Sequence, residues 1–455
     1  MAAVAAPLTR CLGRFRPDFL KAHAAEPGRY PFLLESASQG SPRARFDLLL
    51  ADAGEPLLLE AGGRLVGAPG ERSFLAALDR RFARERLDAH AAPPLPFVGG
   101  WFLYLGYELA AETEPRLHLP VAPGLVAGAF RVRACAIFDH ARGETWLAGE
   151  AGSEAALEAL ERVLEERGPE RAPEPLAPLP VEEEAPERYL GAVRSALEYI
   201  AAGDIYQANL AREWRTPLPA ALTAADLYAR LRHSNPGPFA GLAALPGLTV
   251  LSTSPERLVA VRDGLVQTRP IAGTRPRRGD DAAMVAELRS NEKERAEHVM
   301  LLDLERNDLG RIAQGGSVAV DEYMAIESYT HVHHIVSNVR GRLRSEVTPG
   351  GVVRAVFPGG TITGCPKVRC MEIIAELEGT PRAAYTGSFG YLGRDGSLDL
   401  NILIRTAMVR GAPGAQTLSL KAGAGIVADS DPERELEETR AKAQGLLRAL
   451  VAGGR

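Results

Sequence analysis

The chain has 455 residues, of which 46% are apolar and 24% charged, a composition typical of a large globular protein that excludes a fibre or a wholly disordered chain. It carries 53 Lys and Arg against 58 Asp and Glu, and this net charge of -5 offers no basic field for nucleic acid. No apolar run approaches the roughly 18 residues that span a bilayer. We therefore expect neither nucleic acid nor a membrane as a partner. The four scattered cysteines favour a cytoplasmic protein.

The first part of the chain mixes Ala-rich helical stretches with strand-like runs, and we assign residues 1–167 to an N-terminal subdomain. Within it, the aromatic, Gly-punctuated run FVGGWFLYLGYE over 97–108 predicts a buried strand and a turn. Residues 168–188 pack prolines and acids together without apolar periodicity, which predicts a linker or a long surface loop. Because most polar motifs follow this linker, we assign the catalytic region to 189–455.

Helices and strands interleave after the linker. The run YLGAVRSALEYIAAGD has apolar residues at helical spacing and stops at Gly203, a suitable residue just past a helix end. Alternating runs predict strands in IYQANLAR, TVLSTSPERLVAV and LDLNILIRTAMV. Near the end, Ser430 three residues before Glu433, with Pro432 between them, predicts a capping-box start for the last helix.

Two acidic helices carry the clearest chemical pattern. One predicted helix holds Glu294 and Glu297, and another holds Glu435 and Glu438, so each presents two carboxylates on one face. If the four carboxylates converge, their repulsion calls for a cation, and oxygen ligands suit Mg²⁺. The alternative is that both pairs are solvated helix faces, which are commonly rich in Glu.

Glycine-rich segments and one arginine indicate anion binding. The small residues Ala422–Gly425 predict a turn whose backbone N–H groups approach an anion. The segment FPGGTITGCPKVR, which contains Thr361, departs from the Walker A pattern, so nucleotide binding is not expected. In both segments, glycines that serve only tight turns are the alternative. Arg405 in the strand-like ILIRT requires an anion, either a substrate carboxylate or a structural acid such as Asp399.

Eight motifs in order resemble the chorismate-binding enzymes, a family that includes component I of anthranilate synthase and of aminodeoxychorismate synthase and the isochorismate and salicylate synthases. The resemblance also covers LLESAS and FVGGWFLYLGYE in the N-terminal subdomain. It implies an α/β (α+β) fold with two extended sheets packed face to face and helices outside, in which the linker interrupts one fold. The motifs are GDIYQANLAR, STSPERL, RPIAGTRPR, ERAEHVMLLDLERNDLGR, HHIVS, FPGGTITGCPKVRCMEIIAELE, SFGYLGRDGSLDLNILIRT and AGAGIVADSDPERELEETRAK.

The resemblance implies Mg²⁺ as cofactor and chorismate, a small dianion, as substrate. It assigns Glu297 and Glu438 as direct metal ligands, with Glu294 and Glu435 behind them through water. Glu256 matches the general acid/base at the departing hydroxyl, where a proton donor is needed. The other matching catalytic and substrate-binding residues are His334, Gly273, Thr274, Thr361, Tyr385, Arg405, Gly423, Gly425 and Lys442.

Details of the motifs indicate which reaction to expect. The water-adding members have a Lys base where this chain has Gln207, so an ammonia-using reaction is favoured. NPGPFAGL and Asn401 resemble the aminodeoxychorismate synthases, which make 4-amino-4-deoxychorismate for p-aminobenzoate and folate synthesis. Ala272, however, occupies the place of their nucleophilic Lys and cannot act as one. Either another nucleophile, such as ammonia or water, begins the reaction, or the chain is the anthranilate synthase component, with anthranilate as product for tryptophan synthesis.

The resemblance also implies two further partners. Leu34, Glu35 and Ser36 of LLESAS resemble the tryptophan-binding corner of the family, with a buried strand end capped by Ser36 as the equal alternative. The sequence lacks the nucleophilic Cys motif of a glutamine amidotransferase, so we expect ammonia to come from a separate amidotransferase subunit. A chain that binds chorismate or tryptophan as a regulator, without catalysis, is the remaining class of function.

Overall fold

The computed structural model describes residues 6–37, 45–87, 95–165, 176–277, 281–328 and 332–450. The helices in these residues are α1 (Phe19–Ala25), α2 (Phe74–Glu85), α3 (Ala110–Thr113), α4 (Glu154–Glu165), α5 (Pro186–Ala201), α6 (Ala224–Ser234), α7 (Asp281–Ser290), α8 (Glu292–Gly310), α9 (Pro349–Val356), α10 (Lys367–Glu378) and α11 (Pro432–Leu447).

The strands in the same residues are β1 (Leu8–Gly13), β2 (Phe32–Glu35), β3 (Phe46–Ala53), β4 (Leu57–Glu60), β5 (Arg64–Val66), β6 (Gly100–Leu105), β7 (Leu125–Asp139), β8 (Glu144–Gly149), β9 (Glu182–Glu183), β10 (Gln207–Pro217), β11 (Phe239–Leu245), β12 (Leu248–Ser254), β13 (Arg257–Arg262), β14 (Leu265–Thr268), β15 (Ile271–Pro276), β16 (Ala319–Ser328), β17 (Val332–Arg342), β18 (Gly364–Cys365), β19 (Ser388–Gly393), β20 (Leu398–Asn401), β21 (Thr406–Arg410) and β22 (Thr417–Ile426).

These strands form an antiparallel ladder with two arms that meet at the long strand β7. The first arm runs from β7 through β3, β2, β11, β12, β21 and β22 to β10. The second arm runs from β7 through β6, β19, β20, β13 and β14 to β17, which also pairs with β15 and β16. The free ends of the arms are therefore β10–β22 on one side and β15–β17 on the other.

The two arms pack face to face, as predicted, although hydrogen bonds through β7 make them one continuous network. The rings of Phe32 in β2 and Phe102 in β6 stack between the arms with centroids 3.9 Å apart. Because side chains alternate along a strand, Leu33 and Trp101 point the other way and pack in clusters beneath the outer helices. The predicted fold class, with two sheet layers and outer helices, is confirmed.

Several local predictions are confirmed and others need correction. The run over 97–108 contains the wholly buried strand β6, and Gly203 follows α5 with φ 82°. The predicted linker, residues 168–188, extends too far towards the C-terminus, because Glu182–Glu183 pair with β10 and Pro186 already begins α5. Its first part lies in 166–175, outside the described residues. The last helix is capped by the Asp431 side chain rather than by Ser430.

No helix in the described part of the chain is long and apolar enough to cross a membrane.

Candidate active site

A cavity of about 800 Å³ lies where the free ends of the two arms meet. One arm contributes residues of β10 and β22, and the other contributes residues of β15 and β17, while α8 and α11 supply acidic side chains. Strands that are distant in the ladder therefore form opposite walls of one space. Of the residues that the sequence predicts, the cavity lining contains Gln207, Glu256, Ala272, Gly273, Glu294, Glu297, His334, Thr361, Tyr385, Arg405, Gly423, Gly425, Glu435, Glu438 and Lys442.

The two acidic helices converge on this cavity. The side chain of Asn291 caps α8 by accepting a hydrogen bond from the backbone N–H of Glu294. Glu297 follows on the same face, and burial raises the pKa of its carboxyl, with further repulsion from Glu438 and Glu294. Glu438, from α11, forms a 2.7 Å ion pair with Lys442. The two pairs of carboxylates therefore line one cavity, in which the Glu438 side chain is half exposed to solvent.

The carboxylates fit a hard cation with a small protein ligand set. Within the described ranges, no three His, Cys, Asp or Glu side chains are grouped so as to hold a metal ion by themselves. Mg²⁺, however, usually takes only one or two carboxylates and keeps water or substrate oxygens as its other ligands. Glu297 and Glu438 line the same cavity, where burial raises the pKa of Glu297 and the Glu438 and Glu294 carboxylates add to the increase. The donor set thus matches the predicted ion, whose presence stays a prediction.

Glu256 lies in the short break between β12 and β13, where the chain turns into the cavity. Its side chain is buried, and the Thr361 hydroxyl donates a 2.9 Å hydrogen bond to its Oε1. Burial raises the pKa of Glu256 to about 8, and the nearby Glu305 carboxyl adds to this increase. Glu256 therefore keeps its proton at neutral pH and is suited to act as a general acid.

His334 lies on β17, opposite the backbone of Thr274 on β15. Its Nδ1 lies 3.4 Å from the carbonyl oxygen of Gly273, and burial lowers its pKa to about 4. The imidazole is therefore neutral at physiological pH and can orient a polar group without adding charge. The side chain of Thr274 lies outside the described part of the chain, so its predicted contact stays a prediction.

Arg405 presents a partly buried positive charge to the cavity. It lies between β20 and β21 in a left-handed conformation with φ 53°, so the ILIRT stretch is not a continuous strand as predicted. Its Nη1 donates a 2.6 Å hydrogen bond to the carbonyl oxygen of Lys442, and among the described residues no carboxylate lies within 4.0 Å of it. Asp399, the candidate structural partner, pairs with Arg257 instead. This arrangement favours a ligand carboxylate at Arg405.

Two glycines of β22 keep the cavity open. The predicted turn at Ala422–Gly425 is wrong, because these residues continue a strand paired with β10. A Cβ atom on Gly423 would lie 2.8 Å from the Tyr385 hydroxyl, and one on Gly425 would lie 2.3 Å from Gln207 Nε2. Lys442 Nζ donates a 3.0 Å hydrogen bond to the Gly423 carbonyl oxygen. Glycine is needed here for close approach rather than for a turn.

The residues that distinguish reactions within the family also lie in this cavity. Gln207 Nε2 donates a 2.9 Å hydrogen bond to Glu297 Oε1, so it contacts a predicted metal ligand directly. Ala272 is buried and lines the cavity, leaving a methyl group where a lysine amine would project. Sequence analysis missed Asn209, although strand alternation places it on the same face as Gln207. Its buried Oδ1 has no hydrogen-bond partner among the described residues.

The candidate tryptophan-binding residues lie apart from this cavity. Leu34, Glu35 and Ser36 line a second cavity of about 300 Å³, together with Asn401. Glu35 forms a 2.8 Å ion pair with Arg232. Ser36 donates hydrogen bonds from its backbone N–H and hydroxyl to neighbouring groups of β3. The segment is thus a buried strand end that also borders a cavity, so both predictions for it, a tryptophan site and a buried strand end, remain.

Comparisons with known proteins agree with this architecture. A family model described as chorismate binding enzyme matches residues 30–448. Anthranilate synthase component 1 of Streptomyces coelicolor is 40% identical over 452 residues, covering 93% of this chain and 84% of that protein. Aminodeoxychorismate synthase component 1 of Bacillus subtilis is 49% identical over 262 residues, covering 57% and 54% respectively. The crystal structure of anthranilate synthase component I from Streptococcus pneumoniae superposes with a TM-score of 0.78 at 31% identity, covering 90% and 93%.

Proposed function

The chain belongs to the chorismate-binding enzymes, and we propose that within this family it is component I of an aminodeoxychorismate synthase. It would convert chorismate and ammonia into 4-amino-4-deoxychorismate and water. One observation carries the chemical part of this proposal. A single cavity contains a buried acid that keeps its proton, a partly buried arginine that lacks a carboxylate partner among the described residues, and a group of carboxylates suited to Mg²⁺.

The charge of each residue determines which group of the substrate it would bind or protonate. Arg405 would bind one carboxylate of the substrate, since a charged, bidentate guanidinium matches a carboxylate. Glu297 and Glu438 would hold Mg²⁺, which when bound supplies positive charge to the other carboxylate. Glu256 would donate its proton to the hydroxyl at C4, so that the C–O bond breaks and water leaves. Ammonia supplies the new C–N bond and a proton that restores Glu256, so atoms and charge balance.

The choice of product depends on features at two different places. NPGPFAGL and Asn401 support the 4-amino product, but Asn401 borders the second cavity, where its amide bridges Phe389 and Phe239. Ala272, by contrast, lies in the 800 Å³ cavity that contains Glu256, the reaction cavity. An alanine at this position supports a direct attack by ammonia at C2, which leads to anthranilate. Anthranilate synthase component I is therefore the second candidate function.

Product identification decides between these two reactions. We expect the purified chain, incubated with chorismate, Mg²⁺ and an ammonium salt, to yield a product that becomes fluorescent only after a lyase converts it to p-aminobenzoate. Fluorescent anthranilate formed without the lyase would instead establish the second candidate. If chorismate is not consumed at all, the chain is a non-catalytic binder and the proposal fails.

We also propose that a separate glutamine amidotransferase supplies ammonia to this chain, as the component I relatives imply. The chain alone should then use ammonium salts but not glutamine as its nitrogen source. Turnover with glutamine as the only nitrogen source, by the purified single chain, would contradict this proposal.

A further inference from the structure

Helix α8 carries two further buried acids that the proposed chemistry does not use. Glu305 and Asp308 are 6% and 5% exposed, and they follow Glu297 and Leu301 at spacings of three or four residues. Residues at these spacings share one side of a helix. The face of α8 that presents carboxylates to the cavity therefore continues, towards its C-terminal end, as a buried acidic face.

This buried face holds the loop that contacts Glu256. The Glu305 carboxylate lies directly against Gly360 at the start of this loop. Gly360 begins the short 3-10 turn Gly360–Ile362, and its next residue, Thr361, donates the hydrogen bond to Glu256. One peptide unit thus lies between the two buried carboxyl groups.

The turn is pressed closely against α8. A Cβ atom on Gly360 would lie 2.3 Å from Leu304 Cδ2 and 3.5 Å from Glu305 Oε1. Further along the same loop, Lys367 Nζ forms an ion pair with Asp308. Two acids of α8 therefore contact the loop on either side of Thr361, the residue that reaches Glu256.

We propose that Glu305 is a positioning residue for the proton donor Glu256, acting through the Gly360–Thr361 turn and through its own charge. This inference rests on the proposed function only in that it takes Glu256 as the proton donor.

The charge on Glu305 would widen the pH range in which Glu256 stays protonated. Burial raises the pKa of Glu305 to about 7, and Asp308 adds to the increase while Lys367 opposes it. Above neutral pH, Glu305 is charged and opposes the ionisation of Glu256, whose pKa is raised to about 8. The Thr361 hydrogen bond acts in the opposite direction, because it stabilises the ionised form of Glu256.

Two substitutions should therefore move the pKa of Glu256 in opposite directions. Glu305→Gln keeps the size of the side chain that packs against Gly360 but removes the charge, so the alkaline limb of kcat/KM should shift down by about one pH unit. Thr361→Val should shift it up and lower kcat. Asp303→Asn, at an exposed position of α8 with 72% of its side chain accessible, should leave the profile unchanged.

A second measurement separates this inference from the product assignment. The carboxyl band of Glu256, identified by its loss in Glu256→Gln, can be titrated by infrared difference spectroscopy without substrate. A lower pKa for this band in Glu305→Gln supports the inference whatever product forms, and an unchanged pKa overturns it.

A shorter acid tests the positioning part. Glu305→Asp keeps the charge but should lose contact with Gly360, so we expect kcat to fall several-fold while the KM for chorismate stays within about twofold. Because Glu305→Asp retains a carboxylate, it also serves if Glu305→Gln does not fold. Wild-type kcat in Glu305→Asp would contradict a positioning role.

Discussion

Burial gives two side chains of the reaction cavity the protonation states that the proposed chemistry needs. Glu256 is 5% exposed, and its pKa is raised to about 8 because ionisation in this environment is costly. Burial has the opposite effect on His334, whose pKa falls to about 4 because the charged imidazolium is disfavoured. A protonated acid and a neutral imidazole thus lie in one cavity at physiological pH, and the acid is the group that proton transfer to a leaving hydroxyl requires.

Replacing Glu256 with Gln should lower kcat by about 100-fold or more, because the amide cannot donate a proton to the departing hydroxyl. In the wild-type enzyme, kcat/KM should fall as the pH rises through about 8, where Glu256 loses its proton. Steady-state assays across pH check both outcomes. Glu346→Gln, at a position with 68% of its side chain exposed, is the matched control. Wild-type rates in Glu256→Gln would exclude it as the acid.

A substitution at Ala272 tests whether this position determines which product forms. Ala272→Lys places an amine in the reaction cavity, and we expect it to raise the rate at which the 4-amino product forms and the share of that product over any anthranilate, because a covalent lysine adduct at C2 directs ammonia to C4. Chromatography of the products measures the ratio. Ala272→Met, of similar length but without an amine, should not reproduce the effect. An unchanged ratio and rate would show that this position does not control the chemistry.

At the scale of elements, α8 joins two functions along one face. Its first turns present Glu294 and Glu297 to the cavity, and its later turns hold the loop that reaches Glu256. Helix α11 completes the acidic side of the cavity from a segment far away in the chain. The carboxylates of the two helices can act together only while both helices stay docked on the ends of the ladder arms.

Magnesium dependence tests this convergence. Activity should disappear when the protein is treated with a chelator and return when Mg²⁺ is added. Glu297→Gln should raise the Mg²⁺ concentration required for half-maximal activity by about tenfold or more, because one of two direct carboxylates is lost. Glu292→Gln, at an exposed position in the first turn of the same helix, is the control. Equal Mg²⁺ requirements for the two variants would argue against Glu297 as a ligand.

At the scale of the whole molecule, the strand ladder brings together residues that are remote in the sequence. It places β2 of the N-terminal subdomain beside β11 and sets β6 next to β19. The second cavity arises in this way, with walls from both arms, whereas the reaction cavity forms where the ends of the arms meet. Two separate ligand sites on one ladder would allow one ligand to affect binding of the other.

Tryptophan binding tests the second cavity. We expect L-tryptophan at concentrations above its Kd to raise the Tm by about 2 °C or more, because a ligand that binds only the native state stabilises it. The shift should persist in Glu297→Gln and disappear in Leu34→Glu, which puts a charge into the second cavity. L-alanine is the control ligand. If millimolar tryptophan leaves the Tm unchanged, the segment is only a buried strand end.

The sequence by itself determined the local elements and the family. Apolar spacing predicted α5, an aromatic run bounded by glycines predicted β6, alternation predicted β10, and the ordered motifs led to the chorismate-binding enzymes. These features depend on residues that are only a few positions apart, so they can be recognised in the sequence without knowledge of the fold. The paired acids on α8 and α11 were also visible, since residues three apart share a helix face.

Tertiary structure alone decided which of these groups meet. Arg405 and Asp399 are near in sequence, yet Asp399 pairs with Arg257 across β13 and β20 and leaves Arg405 to the cavity. The contact of Glu305 with Gly360 spans more than fifty residues and has no local signature. Such contacts depend on where the arms of the ladder end, and that is set by long-range strand pairing and core packing rather than by any periodicity along the chain.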